Sequence, residues 1–117
     1  MRRQQPVHVE LDELPLTEWP SPALTENTHT DRTALRTDLA RVRERGYSID
    51  LEETVPGITG FGFALRYSTP AVDAIICSVP VARLAPEHEA RILSVMRDIR
   101  ARIESRLPPV PGAPDWR

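Results

Sequence analysis

Residues 59–68, TGFGFALRYS, alternate with a period of two: Phe61, Phe63, Leu65 and Tyr67 fall on one side of an extended chain, and Gly60, Gly62, Ala64 and Arg66 on the other. Aromatic and branched residues at this spacing specify a β-strand. One face of that strand must be buried by another layer, which excludes an all-helical fold. The opposite face is nearly bare, and glycine inside a strand carries an entropic cost and supplies nothing to pack. Two physical readings stand side by side. Strand glycines mark a bulge or the close approach of a helix backbone, or they open a hollow over the sheet in which a small ligand can lie.

The neighbouring segments build the rest of the fold. Residues 72–79, VDAIICSV, form a nearly continuous apolar run and read as a strand covered on both faces. The intervening YSTPA is a tight connection, so the two strands are expected to form an antiparallel hairpin. Residues 47–51 are short and β-prone. Leu35, Leu39 and Val42 recur at helical spacing behind Thr30 or Asp31 as a cap, and Gly46 follows as a stop, predicting a helix over 32–45. Ile92, Met96, Ile99, Ile103 and Leu107 form a second stripe, opened by Pro86 and closed by Pro108, predicting a helix over 86–107. The expected class is α/β of the α+β type, an antiparallel sheet flanked by helices.

The chain has 117 residues, enough for one domain, and its 40% apolar content is that of an ordinary soluble protein. Residues 13–30 are rich in Pro and Thr without a period, and residues 108–117 hold four prolines, so both read as loop or tail. What remains is a core over 30–107 with room for a strand at 7–11. A core this small buries a modest share of its surface, and help from a second chain is expected. The formal charge of -2 gives no electrostatic case for nucleic acid or an anionic membrane. No apolar run approaches the ~18 residues of a membrane span, and the first residues lack the apolar centre of a signal peptide, so the expected location is the cytoplasm.

Candidate chemistry is sparse. Cys77 is the single cysteine, which excludes an internal disulfide and a thiolate zinc cluster. Within VDAIICSVP it reads as a small buried hydrophobe, with no histidine near it in sequence to activate it. Glu87, His88 and Glu89 fall in the first turn of the second helix, where acids favour the helix dipole, and read as a solvated cap. His8 and His29 read as isolated and exposed. Asp50, Glu52 and Glu53 are adjacent carboxylates in a strand-to-loop passage, without an evident partner for acid-base work. Arg41, Arg43 and Arg45 read as salt bridges or a wet helix face. No catalytic set, metal set or cofactor motif is expected, and the chain is read as a non-enzyme.

Three stretches, LRTDLARVRERGYSIDLEE, PGITGFGFAL and VDAIICSVPVARLAPEHEARILSVMRDIRARIESRL, together resemble the C-terminal effector-binding domain of the IclR family of bacterial transcriptional regulators. The shared pieces are a helix ending in an Arg-x-x-Gly-Tyr turn, an Asp-x-Glu-Glu segment and a glycine-led strand. A hairpin, a strand with small polar residues, an Arg-Leu corner and a closing helix follow. The likeness covers residues 28–107, about the second half of the family's domain. It implies a partial GAF-like domain that holds a small organic acid or aromatic effector against its sheet. It also implies three parts: an extension over 1–29, the effector-binding half-domain over 30–107, and a proline-rich tail over 108–117.

The resemblance places Asp50 at the family's acidic pocket position, Gly57 at the start of the following strand, and Gly60 where relatives often have Cys. With the hairpin one residue shorter, Ile76 and Ser78 fall where relatives often place two polar ligand contacts, and Gly62 shares the face of Gly60. Gly60 and Ile76 each remove a hydrogen-bonding side chain, which favours a larger or more apolar ligand, or a vestigial site. No stretch reads as a DNA-recognition helix, so direct binding of nucleic acid is not expected. Three readings follow. The first is a small-molecule-sensing regulatory domain without its own DNA-binding domain. The second is an association module, as a homo-oligomer or with a related regulator, or a truncated remnant that binds no ligand. The third is a small enzyme using Cys77 or Asp50.

Overall fold

The computed structural model describes residues 22–67 and 71–107. The order of elements is α1 (Arg32–Arg45), β1 (Ser48–Leu51), β2 (Ile58–Ala64), β3 (Ala74–Pro80), a 3-10 turn (Val81–Arg83) and α2 (Pro86–Arg106). The expected strand at 7–11 lies outside the described residues, as do the centre of the YSTPA connection and the proline-rich C-terminal stretch.

Helix α1 begins where Asp31 accepts a hydrogen bond from the Ala34 N–H (2.8 Å), satisfying one of the unpaired amides of a first turn. It ends at Gly46, whose φ of 87° is left-handed and whose N–H bonds back to the Val42 carbonyl. This is the glycine stop expected from the sequence. Helix α2 opens on Pro86 at its first turn and carries Glu87 and Glu89 there, where the helix dipole favours acids.

The three strands form an antiparallel sheet in the order β1-β2-β3, with Phe61 opposite both Ile49 and Cys77. The odd-numbered residues of β2 face the core. Phe61, Phe63 and Val79 pack with Leu93 and Met96 of α2, and Tyr47, Ile49, Ile75, Cys77, Leu84 and Ile92 close around them. Tyr47 stacks on Phe63 with ring centroids 5.3 Å apart, and the Arg100 guanidinium lies 5.1 Å from the Phe63 ring centre. Truncating Phe61 to alanine would remove about 3–5 kcal/mol, the cost of emptying a fully buried aromatic site.

One expectation is corrected. Among the described residues no layer covers the outer face of β3: Ala74, Ile76 and Ser78 are exposed, Ile76 at 73%, while Ile75, Cys77 and Val79 turn inward. Its apolar run therefore reflects an unpartnered outer side chain, Ile76, and not a second covering layer. The apolar stripe of α2 is also wider than its contact. Leu93 and Met96 are buried, but Val95 and Ile99 are 46% and 42% exposed, because the sheet meets only one side of the stripe.

Candidate functional site

The even-numbered residues of β2 turn away from α2, and the register fixes their neighbours. Gly60 lies between Asp50 of β1 and Ser78 of β3, and Gly62 lies between Ser48 and Ile76. Paired residues share a face of the sheet, so Ser48, Asp50, Gly60, Gly62, Ile76 and Ser78 form two adjacent rows across three strands. This face is open. Ser48, Ile76 and Ser78 are exposed, and Asp50, Gly60 and Gly62 are half-buried. A β-carbon on Gly60 would meet only the Asp50 β-carbon at 3.5 Å and the Cys77 carbonyl oxygen at 3.9 Å. Both are ordinary contact distances, so no described helix backbone presses on Gly60, and its missing side chain leaves space.

Five of the six expected site residues are thus brought together. Gly57 is not among them. It sits one residue before β2 with a φ of 84°, a left-handed conformation that disfavours any side chain. Its carbonyl accepts the Val81 N–H at 2.8 Å, so Gly57 shapes the turn and ties it to the end of β3.

Asp50 is held firmly. Its Oδ1 accepts the Glu53 N–H at 2.7 Å and its Oδ2 accepts the Thr54 hydroxyl at 3.3 Å. Glu52 takes a left-handed φ of 55°, and its Oε1 accepts the Gly57 N–H at 2.8 Å. Glu53 Oε2 accepts the Leu51 N–H at 3.1 Å. The three carboxylates, read from sequence as lacking a partner for acid-base work, knit the β1–β2 connection. Their partners are backbone amides, which a side-chain pattern does not display.

The segment before α1 is stitched to that connection. The Thr25 hydroxyl donates to the Glu52 carbonyl and the Thr28 hydroxyl to the Glu53 carbonyl. The Asn27 amide donates to the Leu51 carbonyl at 2.9 Å. As a result His29, expected to be isolated and exposed, is half-buried, with Nε2 at 3.6 Å from Asp38 Oδ2 and 3.4 Å from Glu53 Oε1. Burial pushes the Glu53 carboxyl above its ordinary value, against the opposing effects of the Leu51 N–H and of His29. Only contacts across 9 and 24 residues assemble this group, so no local spacing could reveal it.

The remaining candidates lie apart from this group. His88 is exposed and its Nδ1 meets the Arg83 carbonyl at 2.7 Å. Arg45 donates to the Tyr47 carbonyl at 2.8 Å and lies over its ring. Cys77 is half-buried against the core. A hollow of about 350 Å³ lies between the outer edge of β3 and α2, lined mainly by Ile75, Ile76, Cys77, Ile92, Val95 and Ile99. No described helix is long and apolar enough to cross a membrane.

Comparison with known proteins places this geometry in a family. The chain is 47% identical over 58 residues to the HTH-type transcriptional regulator Rv1719 of Mycobacterium tuberculosis, a match covering 50% of this chain and 22% of that protein. The C-terminal domain of the transcriptional regulator KdgR of Escherichia coli superposes with a TM-score of 0.67 at 25% identity, over 74% of this chain and 53% of that one. A double mutant of the PobR inducer-binding domain from Acinetobacter, in complex with 3-hydroxybenzoic acid, shares the fold with a TM-score of 0.63 at 21% identity, over 71% of this chain and 49% of that one. The chain therefore spans about a fifth of its curated relative and about half of each isolated domain. The family model for the bacterial transcriptional regulator IclR C-terminal region matches residues 11–105, beginning earlier than the likeness visible over 28–107, and with the sheet and closing helix in the same arrangement the chain belongs to that family.

Proposed function

We propose that the chain is a small-molecule-sensing module of an IclR-type regulator. The observation that carries this reading is the row Asp50–Gly60–Ser78. A carboxylate and a hydroxyl flank a position with no side chain on an open sheet face, and the space left at Gly60 admits a ligand atom where any other residue would stand. The Ser78 hydroxyl can donate to a ligand carboxylate and the Asp50 carboxylate can accept from a ligand hydroxyl, which suits a hydroxylated organic acid or a phenol, and exposed Ile76 adds apolar contact beside them. The 3-hydroxybenzoic acid of the PobR structure, small, aromatic and anionic, is a rational first probe. Residues 30–107 form the sensing unit in this reading, with 1–29 as an extension and 108–117 as a tail. The cytoplasm is its place of action, and no catalytic step is assigned to it.

Isothermal titration of the folded chain with 3-hydroxybenzoate and a panel of small carboxylates tests the reading. Saturable binding that weakens in Ser78→Ala supports it. Flat titrations across the panel, with circular dichroism showing folded protein, overturn it.

A second reading, an association module, is favoured by one specific feature. Among the described residues β3 pairs only with β2, and beside its outer edge lies the apolar hollow with Val95 and Ile99 exposed. An unpaired strand edge beside an apolar groove is a template for another chain. Sedimentation decides it, a monomer at tens of micromolar being the contrary result.

A further inference from the structure

The group formed by His29, Asp38 and Glu53 lies within ion-pair distance, and its geometry also suits a shared cation. Its three donors come from three separate segments: the turn before α1, the middle of α1, and the β1–β2 connection. Both carboxylate oxygens address the same nitrogen, His29 Nε2, at 3.6 and 3.4 Å. These distances exceed the 2.7–3.2 Å range of N–H···O hydrogen bonds. They do match the spacing between two ligands of one tetrahedral ion, since metal–ligand bonds of about 2.0–2.1 Å at tetrahedral angles set donors roughly 3.3–3.4 Å apart. All three ligand atoms lie within 4.8 Å of one another.

Charge and support point the same way. With His29 neutral, two carboxylates converge on a site where the side chains are 30%, 25% and 23% exposed, and Asp50 stands close enough to Glu53 to add to their repulsion. A divalent cation removes that repulsion more fully than a single imidazolium. Glu53 is oriented by the Leu51 N–H on its other oxygen, and its backbone carbonyl is fixed by the Thr28 hydroxyl. Such outer contacts hold ligands in position around metal sites.

We propose that His29, Asp38 and Glu53 bind a first-row divalent cation, zinc or a similar ion, through one imidazole nitrogen and two carboxylate oxygens. The donor set is too nitrogen-poor for copper selectivity and suits zinc, cobalt or manganese. Three protein ligands leave the remaining coordination to water. Because Asp50 hydrogen-bonds the backbone of Glu53, the ion would also brace the connection that positions Asp50. The site stands independently of any effector on the sheet face.

The test is titration of the full chain, freed of metal by chelation and dialysis, with Zn²⁺ by calorimetry and with Co²⁺ by visible absorption. A single site per chain is expected, with the intense absorption of low-coordinate Co²⁺. His29→Ala and Asp38→Asn should each weaken Zn²⁺ binding by about tenfold or more, since even outer contacts of metal sites are worth that much. His88→Ala should leave the affinity within about twofold, the change expected where no ligand is lost. Circular dichroism verifies that each variant is folded, and Glu53→Gln, which keeps an oxygen for the Leu51 N–H, provides a third variant if Asp38→Asn unfolds. Absent binding by folded wild-type chain, or an affinity unchanged in His29→Ala, overturns the assignment. So does an affinity lost equally in His88→Ala.

Discussion

Gly62 and Ser48 stand opposite each other on β2 and β1, so close that a β-carbon on Gly62 would fall 2.5 Å from the Ser48 hydroxyl oxygen. The obstacle is the far end of a small side chain, which can turn away at the loss of its long contact to the Gly62 carbonyl (3.5 Å). Gly62→Ala should therefore change stability by less than about 1 kcal/mol, the entropy recovered on replacing a strand glycine offsetting the displaced hydroxyl. In a Ser48→Ala background the same change should become more favourable, a coupling that urea midpoints of the two single variants and the double variant measure. Equal effects in both backgrounds would show that the hydroxyl is not what Gly62 accommodates.

Gly60 differs because nothing crowds it. Gly60→Ala should leave the fold intact or stabilise it by about 0.5–1 kcal/mol, while its methyl group stands in the space between Asp50 and Ser78. Weakened binding of an aromatic acid in a variant at least as stable as wild type is the expected outcome. Unchanged binding places the ligand elsewhere.

Asp50 combines a structural task with a proposed binding one, and two substitutions separate them. Asp50→Ala removes the acceptors of the Glu53 N–H and the Thr54 hydroxyl and should cost about 1–2 kcal/mol, each bond contributing about 0.5–1.5. Asp50→Asn keeps an oxygen for the Glu53 amide and should lose under about 1 kcal/mol, the margin of one retained bond. If the carboxylate charge matters to the ligand, Asp50→Asn changes affinity without a matching fall in the urea midpoint.

These cases show where the sequence was legible. The bounds of α1 and the antiparallel β2–β3 hairpin follow from periodicity, a cap at Asp31 and a stop at Gly46, because those signals act within a few residues. The parity of Gly60 with Gly62 and of Ile76 with Ser78 was readable too, since it survives any error in strand ends, but that the two pairs share a face is set by the register across the hairpin. What escaped was set by long-range contact. Nothing near Ile76 in sequence reveals that no described layer covers it, and nothing near His29 reveals that Glu53 folds back to it across the Thr25 and Thr28 hydrogen bonds. Gly57 stands one residue before β2. Its left-handed φ marks a turn, and a strand-leading glycine and a turn glycine look alike in sequence.

Ile76 offers a test of ligand chemistry that leaves the core alone. At 73% exposure its replacement by serine should alter stability by less than about 0.5 kcal/mol, as for surface positions generally. The hydroxyl would stand beside Gly62 and one pair along from Ser78, adding a hydrogen-bond donor to the open face. Affinity for small polar acids should rise in Ile76→Ser and affinity for apolar aromatics fall. Isothermal titration with one ligand of each kind reads both, and parallel changes for the two would show that Ile76 does not set selectivity.

Two carboxylates give opposite dependences on pH. Burial alone would raise the Glu104 carboxyl, but hydrogen bonds from the Arg66 N–H and guanidinium, with the charges of Arg66 and Arg100, bring it below its ordinary value of 4.5. Its contribution to stability is therefore present above about pH 4.5 and is lost as pH falls through the lower folded value. Glu53 has the opposite sign: burial lifts it above 4.5 despite the Leu51 N–H and His29. The folded chain therefore favours its protonated form, and that advantage fades as pH rises through the raised value. Glu104→Gln should thus destabilise at neutral pH by roughly 0.5–1 kcal/mol, the scale of a well-placed ion pair near the surface, with the deficit closing in acid. Glu53→Gln, in metal-free buffer, should be neutral or stabilising at pH 7, and its difference from wild type should also shrink in acid. Urea midpoints of the three proteins from acid to neutral pH check both signs together. A Glu53→Gln curve that parallels Glu104→Gln would show that His29 and Leu51, and not burial, govern the ionisation of Glu53.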